Sequence, residues 1–199
     1  VLKALKKKPL RPFEIAKNII VAPTWENYVA KKGEEVITLD PGMAFGTGLH
    51  ETTKLSAEAI VAAAPRNDVS LLDVGTGSGI LAILARKIGI ENIVTIENDD
   101  EAAVVARENF EKNKTYNINV FPDFVGAYCN TPLRQFDIVV ANILLLTLIE
   151  LKDNLIKCLS PSGTLILSGI TNDQENRLIE AFIPPLTHES TTRLGEWGC

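Results

Sequence analysis

The sequence has 199 residues, 46% of them hydrophobic, which is enough apolar material for one full hydrophobic core and predicts a single main domain. The net charge is −5, but the first 13 residues hold five basic side chains and no acid, so the rest carries −10; this acidic body argues against broad nucleic-acid binding and suits a basic protein partner, although ordinary solubilising charge explains it equally well. No apolar run approaches the roughly 20 residues that span a bilayer, and no signal peptide is visible, so no membrane partner is expected.

Cysteine and histidine usage argues against a disulfide framework and against a metal site. Cys129, Cys158 and Cys199 form an odd set without metal-ligand spacing, which favours a reduced, cytoplasmic setting. His50 and His188 are too few and too far apart to predict a zinc site. We therefore expect no bound metal.

Three segments organise the chain. We expect residues 1–12 to form a basic linker, 13–40 a short β lead-in and 41–199 the main α/β domain. The lead-in contains the strand candidates Phe13–Ala22 and Glu35–Leu39, and each is followed within two residues by a proline that cannot donate to a strand ladder.

A glycine-rich segment opens the main domain. Residues 40–53 read Asp-Pro-Gly-Met-Ala-Phe-Gly-Thr-Gly-Leu-His-Glu-Thr-Thr, and the three glycines predict a closely packed loop. Thr52 or Thr53 is expected to cap a helix that runs to about Ala64. A loop placed before a nucleotide-binding strand can fold over the ligand and shape the reaction pocket. Phe45, flanked by small residues, favours this role over that of a structural connector.

The stretch Leu71–Gly79 reads Leu-Leu-Asp-Val-Gly-Thr-Gly-Ser-Gly and is followed by an apolar helix. Strand, glycine turn and helix in this order are typical of a nucleotide site at the carboxyl end of a first parallel strand. The spacing differs from the dinucleotide fingerprint, because position 80 is Ile where the third glycine would fall. Asp73 would repel a pyrophosphate but suits the ammonium of S-adenosylmethionine, and Gly75 and Gly77 permit close approach. A glycine turn without a ligand is the alternative.

Two further strand ends contribute polar side chains. The strand Asn92–Glu97 ends in an acid 24 residues after Asp73, close to the offset of about 20 at which an acid meets ribose hydroxyls, so Glu97 is expected to bind ribose; a surface glutamate is the alternative. The strand Phe136–Ala141 is followed by Asn142, whose side-chain carbonyl could accept a hydrogen bond from an incoming amine and aim its lone pair. Capping of the following helix is the alternative for Asn142.

The rest of the domain alternates between helix and strand patterns. The remaining predicted elements are a helix over Glu101–Asn113 capped by Asp99 or Asp100, a strand over Asn117–Phe121, a helix over Leu144–Leu159, a turn at Ser162-Gly163, a strand over Thr164–Ser168, a helix over Asp173–Phe182 and a strand over Thr187–Leu194. This alternation predicts an α/β fold with a mostly parallel, doubly wound sheet covered by helices on both faces.

Three stretches together resemble one family. Asp-Val-Gly-Thr-Gly-Ser-Gly with Glu97 is similar to the cofactor signature of Rossmann-like S-adenosylmethionine-dependent methyltransferases, and residues 40–53 and Ala-Asn-Ile-Leu at 141–144 are more specific. From about Phe13 to Trp197 the chain resembles the PrmA family, whose members methylate protein eleven of the large ribosomal subunit on lysine side chains and on its N-terminal amine. The resemblance implies a cytoplasmic protein-lysine N-methyltransferase that consumes S-adenosyl-L-methionine, releases S-adenosyl-L-homocysteine and has that ribosomal protein as its partner, without direct nucleic-acid binding.

The resemblance also assigns roles residue by residue. It implies that the cofactor is contacted by Thr53, Gly75, Glu97 and Asn142. It also implies that the loop Phe45–Gly48 borders the substrate amine. For catalysis we expect Asn142 and Thr47 to orient a neutral amine beside Phe45, with water as the proton acceptor, because no residue is a compelling general base. His50 fits better as a structural residue at the loop–helix junction.

The sequence departs from the family pattern in three places. The family more often has Asp where Glu97 stands, which changes the reach of the carboxylate by one methylene. It also has an N-terminal recognition domain and a final strand that continues past Glu196-Trp197, so the sequence is expected to be a catalytic-domain fragment or a chain truncated at both ends. Two alternatives stay open: a methyltransferase that acts on RNA or a small molecule, and a cofactor-binding fragment without activity. A dehydrogenase that uses NAD ranks lower, because the glycine spacing and Asp73 do not fit.

Overall fold

A computed structural model describes residues 11–40, 48–64, 68–122 and 135–199. The first elements form a small sheet in which β1 (Phe13–Ala16) and β2 (Ile19–Ala22) pair antiparallel and β3 (Glu35–Thr38) runs parallel to β2. The prediction of one strand over Phe13–Ala22 is therefore wrong. The chain turns at Asn18, whose φ of 61° lies in the left-handed region that asparagine tolerates better than most residues.

The main domain alternates helices and strands. In chain order these are α1 (Glu51–Ala63), β4 (Ser70–Val74), α2 (Ile80–Lys87), β5 (Asn92–Ile96), α3 (Asp100–Lys112), β6 (Asn119–Phe121), β7 (Phe136–Asn142), α4 (Leu145–Lys157), β8 (Leu159–Ser168), β9 (Ile170–Thr171), α5 (Glu175–Phe182), β10 (Arg193–Leu194) and β11 (Trp197–Gly198). Asp99 caps α3 as predicted, since its carboxylate accepts hydrogen bonds from the backbone N–H groups of Glu101 and Ala102.

Strands β4 to β8 form a parallel sheet in the order β6-β5-β4-β7-β8. The chain moves outward from β4 through β5 to β6 and then returns to the other side of β4 for β7 and β8. The strand order therefore reverses between β4 and β7, and open α/β sheets bind ligands outside the carboxyl ends of the strands at such a point. The predicted α/β class and doubly wound parallel sheet are confirmed.

Two buried clusters of apolar side chains hold helices against the two faces of this sheet. Neighbouring residues of β4 point to opposite faces, so Leu71 packs in one cluster with α1, α2 and α3, and Leu72 packs in the other with α4 and α5. The small sheet β1–β3 joins the first cluster through Ile15, Val21 and Ile37, which are fully buried. The small sheet and the main domain thus share one hydrophobic core.

The end of the chain differs from the sequence prediction. The strand expected over Thr187–Leu194 is wrong over most of its length, because only Arg193–Leu194 forms a strand; it pairs with β11, which pairs with β9, in a separate three-stranded sheet. The turn expected at Ser162-Gly163 lies inside β8, although the ladder breaks there. Phe136 pairs with Leu159 and Ile138 with Thr164, so regular pairing resumes where the strand was predicted to begin.

The cysteines are in different states. Cys158 is fully buried and disulfide-bonded, so the expectation that the cysteines are reduced is wrong at this position. Cys199 is free, and burial raises the pKa of its thiol to about 11, which keeps it protonated at neutral pH. Across the described ranges no group of three or more His, Cys, Asp or Glu side chains could hold a metal ion. No helix in the same ranges is long and apolar enough to cross a membrane.

Candidate active site

Three of the predicted site residues lie side by side at the carboxyl edge of the parallel sheet. Val74 of β4 is in register with Ile96 of β5 and with Ala141 of β7. The next residue along each segment is therefore Gly75, Glu97 or Asn142, and all three lie at the same carboxyl edge of the sheet, where Asn142 is the last residue of β7 and pairs with Ser168 of β8. Because this edge includes the point where strand order reverses, it is the place where a ligand of an open α/β fold is expected to bind.

The turn after β4 is shaped by glycine. Gly75, Gly77 and Gly79 have φ values of 72°, 55° and 80°, in the left-handed region that side chains disfavour. The turn is held to β5 by the backbone N–H groups of Gly75 and Thr76, which both donate to the carbonyl oxygen of Ile96. A Cβ at Gly75 would lie 2.6 Å from Cγ2 of Ile143, so the turn passes close to the segment that follows β7.

Glu97 is fixed by the backbone on both sides. One carboxylate oxygen accepts from the N–H of Gly77 at 2.8 Å, and the other accepts from the N–H of Asp99 at 3.0 Å. Its side chain is buried, with 7% relative exposure. Each oxygen of a carboxylate can accept about two hydrogen bonds, so each keeps capacity for one more donor. The arrangement suits two adjacent hydroxyl groups, as the prediction for ribose requires.

Asp73 is occupied within the protein. It is 1% exposed, its Oδ2 accepts from Oγ1 of Thr76 at 2.6 Å, and the backbone N–H of Ala82 also hydrogen-bonds to the carboxylate. Burial is the main reason why its pKa is raised to about 7, and the nearby charge of Glu97 adds to the increase. Gly79 begins α2 without a side-chain cap, so Asp73 supplies an acceptor for the first turn of that helix. Direct contact with a cofactor ammonium stays a prediction.

Asn142 and Thr53 are brought together. The side-chain Nδ2 of Asn142 donates to Oγ1 of Thr53 at 3.5 Å, and Thr53 is 1% exposed in the first turn of α1. The Oδ1 atom of Asn142 is buried and has no hydrogen-bond partner among the described residues. Helix capping does not account for Asn142, because the N-cap of α4 is Leu144. Leaving a buried acceptor without a hydrogen bond costs free energy. Oδ1 of Asn142 therefore marks a position where a donor from outside the described residues is expected to bind.

His50 has a structural position. It is the N-cap of α1, and its Nδ1 accepts from the backbone N–H of Thr52. The prediction that Thr52 or Thr53 caps this helix is wrong, because both lie inside its first turn. The ring also packs edge-on against Trp197, with centroids 4.6 Å apart. Histidine is an uncommon N-cap residue, so the sequence predicts its position at the loop–helix junction but not its capping hydrogen bond.

Two predicted catalytic residues, Phe45 and Thr47, lie outside the described residues. The chain on either side is well anchored. Asp40 accepts from the backbone N–H of Thr24 at 2.7 Å, and a Cβ at Gly48 would lie 2.8 Å from Ile80. The sequence analysis assigns no role to Thr76, whose hydroxyl donates a hydrogen bond to Asp73. Its position between Gly75 and Gly77 is the one feature of the sequence that could have indicated a role in the turn.

Similarity to known proteins agrees with this geometry. The family model described as ribosomal protein L11 methyltransferase (PrmA) matches residues 3–199. The chain belongs to the ribosomal protein L11 methyltransferase family. It is 41% identical to a ribosomal protein L11 methyltransferase of Geotalea daltonii, over 97% of this chain and 64% of that protein. It is 44% identical to one of Geobacter metallireducens, over 94% of this chain and 61% of that protein.

Fold similarity leads to the same family. The crystal structure of a ribosomal protein L11 methylase from Lactobacillus delbrueckii subsp. bulgaricus has a TM-score of 0.86 and 34% identity, and the match covers 95% of this chain and 96% of that chain. The doubly wound sheet is thus the Rossmann-like methyltransferase fold, and the predicted resemblance to the PrmA family is confirmed. The chain spans under two thirds of the length of the two curated relatives.

Proposed function

We propose that this chain is the catalytic part of a cytoplasmic protein methyltransferase that transfers methyl groups from S-adenosylmethionine to amines of ribosomal protein L11, on lysine side chains and on the N-terminal amine. Membership of the family supports the reaction class and the substrate. The single observation that carries the proposal is the buried Oδ1 of Asn142, an acceptor without a partner among the described residues, at the carboxyl edge of the sheet.

The residues at this edge fit the proposed cofactor. Glu97 would accept from the two ribose hydroxyls through the capacity left on its oxygens, since each already accepts one backbone N–H. Gly75 and Gly77 would let the ligand approach the backbone, with Asp73 holding the turn beneath it. Thr53 would contact the cofactor beside Asn142. When bound, S-adenosylmethionine supplies a methyl group made electrophilic by its sulfonium, and S-adenosylhomocysteine is the product.

The protein's part in the reaction is to orient an amine. A lysine amine of pKa about 10.4 is mostly protonated at neutral pH, so a proton must first pass to water. Oδ1 of Asn142 would then accept one N–H of the neutral amine and turn its lone pair toward the methyl carbon. In this orientation the bound cofactor would supply its methyl group to the amine nitrogen, and its sulfur would keep the electron pair of the C–S bond. Orientation of this kind is a large catalytic effect when the reagent is already reactive.

No side chain in the described part of the site is assigned as general base. Nδ1 of His50 is engaged with Thr52 and its ring packs against Trp197, which suits a structural role. Thr47 and Phe45, on the loop before α1, are proposed to border the amine as the family resemblance implies.

The test is methyl transfer to the isolated ribosomal protein. Ribosomal protein L11 purified in an undermethylated form is incubated with S-adenosylmethionine and the full-length enzyme, and mass spectrometry locates added methyl groups. The proposal predicts methylation of amines, slowed about a hundredfold or more with the Asn142→Ala enzyme. Methylation of ribosomal RNA with none on the protein would contradict it, as would a folded enzyme that binds the cofactor and transfers nothing.

A further inference from the structure

Three leucines near Asn142 are unusually exposed. Leu144 has 74% relative exposure, Leu146 has 59% and Leu49 has 58%. Single exposed apolar side chains are common on protein surfaces, but these three follow or precede candidate active-site residues along the chain, which makes them candidates for contact with a substrate. We refer to Leu49, Leu144 and Leu146 as the leucine rim.

Leu144 does not stabilise the N-terminus of α4. It occupies the N-cap of α4 and its side chain makes no capping hydrogen bond. Ser, Thr, Asp and Asn stabilise this position because their side chains accept from the free N–H groups of the first turn. Leucine at the N-cap gives neither that hydrogen bond nor burial, so the needs of the folded chain do not explain its presence.

The leucine rim lies within reach of the proposed amine site. Leu144 follows Asn142 by two residues, so their Cα atoms are at most about 7 Å apart. Leu49 precedes Thr53 by four residues, a span of at most about 14 Å, and Thr53 contacts Asn142. Leu146 follows Asn142 by four residues, a span of at most about 14 Å. The residues on either side of an amine held at Oδ1 of Asn142 are therefore within reach of Leu144 first, and of Leu49 and Leu146 further along the substrate.

The chain segment around Asn142 offers no charged side chain that could bind the substrate. Residues 138–146 read Ile-Val-Val-Ala-Asn-Ile-Leu-Leu-Leu and contain no ionisable side chain. On the side of the site formed by Leu144 and Leu146, the neighbour of the amine thus meets apolar surface, which favours an apolar residue and gains nothing from a charged one.

We propose that the leucine rim is a docking surface for the methylated protein and that it selects amines with a large apolar residue within a few positions along the chain. The proposal rests on the proposed function, because the occupant is the amine-bearing segment of the substrate. Leu144 acts in substrate specificity and has no part in holding the cofactor or in the folding of α4.

The first test separates binding of the substrate from folding and from the cofactor. Leu144→Ser, which restores a capping side chain, is compared in the full-length enzyme with the wild type. The variant is expected to raise KM for ribosomal protein L11 about tenfold, since loss of one apolar contact typically changes discrimination by this order. Its melting temperature should be equal or higher, and its affinity for S-adenosylmethionine unchanged.

Matched variants sharpen this result. Leu144→Met keeps a large apolar side chain and should retain the wild-type KM. Tyr116→Ser removes an aromatic side chain that is 70% exposed on a distant loop and should leave KM unchanged. A KM for Leu144→Ser equal to that of the wild type would overturn the proposal, as would an equal rise caused by Tyr116→Ser.

The second test changes the substrate. A peptide with an apolar residue beside its lysine is compared with the same peptide carrying serine there. The wild-type enzyme should prefer the apolar peptide, and Leu144→Ser should lose most of this preference, which is the coupling expected of two groups in contact. If the wild-type enzyme methylates neither these peptides nor the protein, the proposed function fails; if it methylates both peptides equally, only the leucine rim proposal fails.

Discussion

Nδ2 of Asn142 lies 3.5 Å from Oγ1 of Thr53, although 89 residues separate the two in sequence. The contact joins the end of β7 to the first turn of α1 and engages the nitrogen of the amide. It leaves Oδ1 as a buried acceptor without a partner among the described residues. The amide is therefore oriented before any substrate arrives, which is the property that catalysis by positioning requires.

Replacing Asn142 by Ala should lower kcat about a hundredfold or more, as for other oriented polar groups in active sites. The folded structure should tolerate the change, because removing the amide also removes an unsatisfied buried oxygen. Asn119→Ala, at an exposed residue of β6, serves as the control and should not change kcat. Steady-state methyl transfer measures both, and a kcat for Asn142→Ala equal to that of the wild type would remove Asn142 from the mechanism.

Gly75→Ala should destabilise the protein and abolish cofactor binding. The φ of 72° strains any side chain, and the new Cβ would lie 2.6 Å from Cγ2 of Ile143. Gly195→Ala is a matched control, because Gly195 has a φ of 62° but nothing within 4 Å of the added Cβ. Chemical denaturation should show Gly75→Ala to be less stable than Gly195→Ala by about 1–3 kcal/mol, the usual cost of overpacking. Equal losses would mean that Ile143 moves aside freely.

Asp73 should make stability depend on pH in an identifiable window. Its pKa rises from 3.8 to about 7 on folding, so the folded chain holds a proton that the unfolded chain releases. The stabilising contribution is complete below about pH 4 and is lost as pH rises through about 7, at about 1.4 kcal/mol per pH unit.

Asp73→Asn removes this titration. The free energy of unfolding of the wild type minus that of Asp73→Asn should fall by a few kcal/mol between pH 4 and pH 7. Asp153→Asn, at an exposed residue of α4, controls for the loss of one carboxylate. A difference between wild type and Asp73→Asn that stays constant over this range would show that Asp73 is ionised throughout.

Glu97→Gln should weaken cofactor binding at least tenfold. A carboxylate accepts from Gly77 and Asp99 with both oxygens, whereas the amide of glutamine would direct an NH₂ group at one of those N–H donors. Glu108→Gln, on the exposed surface of α3, makes the same chemical change away from the site. Calorimetric titration with S-adenosylmethionine distinguishes them, and equal affinities for the two variants would exclude Glu97 from the site.

The strand ends were the predictable part of the site. A buried apolar run fixes where each strand stops, and parallel strands bring their carboxyl ends to one edge, so Gly75, Glu97 and Asn142 could be expected to meet. The alternation of helix and strand likewise determined the doubly wound sheet.

Contacts between distant residues could not be predicted in this way. The cap of α1 is His50 and the cap of α4 is Leu144, and neither is a residue that capping preferences favour. The burial of Asp73 depends on how α2 packs over β4, which no local pattern reports. Residues 187–192 have the β-branched composition of a strand, yet pairing begins only at Thr192, which exchanges backbone hydrogen bonds with Cys199, and continues through Arg193–Leu194 on β11. A segment forms a strand only where a neighbouring strand is available to pair with it, and so the prediction from composition alone was wrong.

Calorimetric titration with S-adenosylmethionine, and separately with NAD, tests whether this edge of the sheet binds the cofactor; it is done on the full-length protein, and on this chain once it is shown to be folded. We expect saturable binding of one S-adenosylmethionine per chain, abolished by Gly75→Ala, and no heat of binding with NAD. A folded full-length protein that does not bind S-adenosylmethionine, or that binds NAD equally well, would contradict the assignment of the Gly75–Glu97–Asn142 edge as the cofactor site.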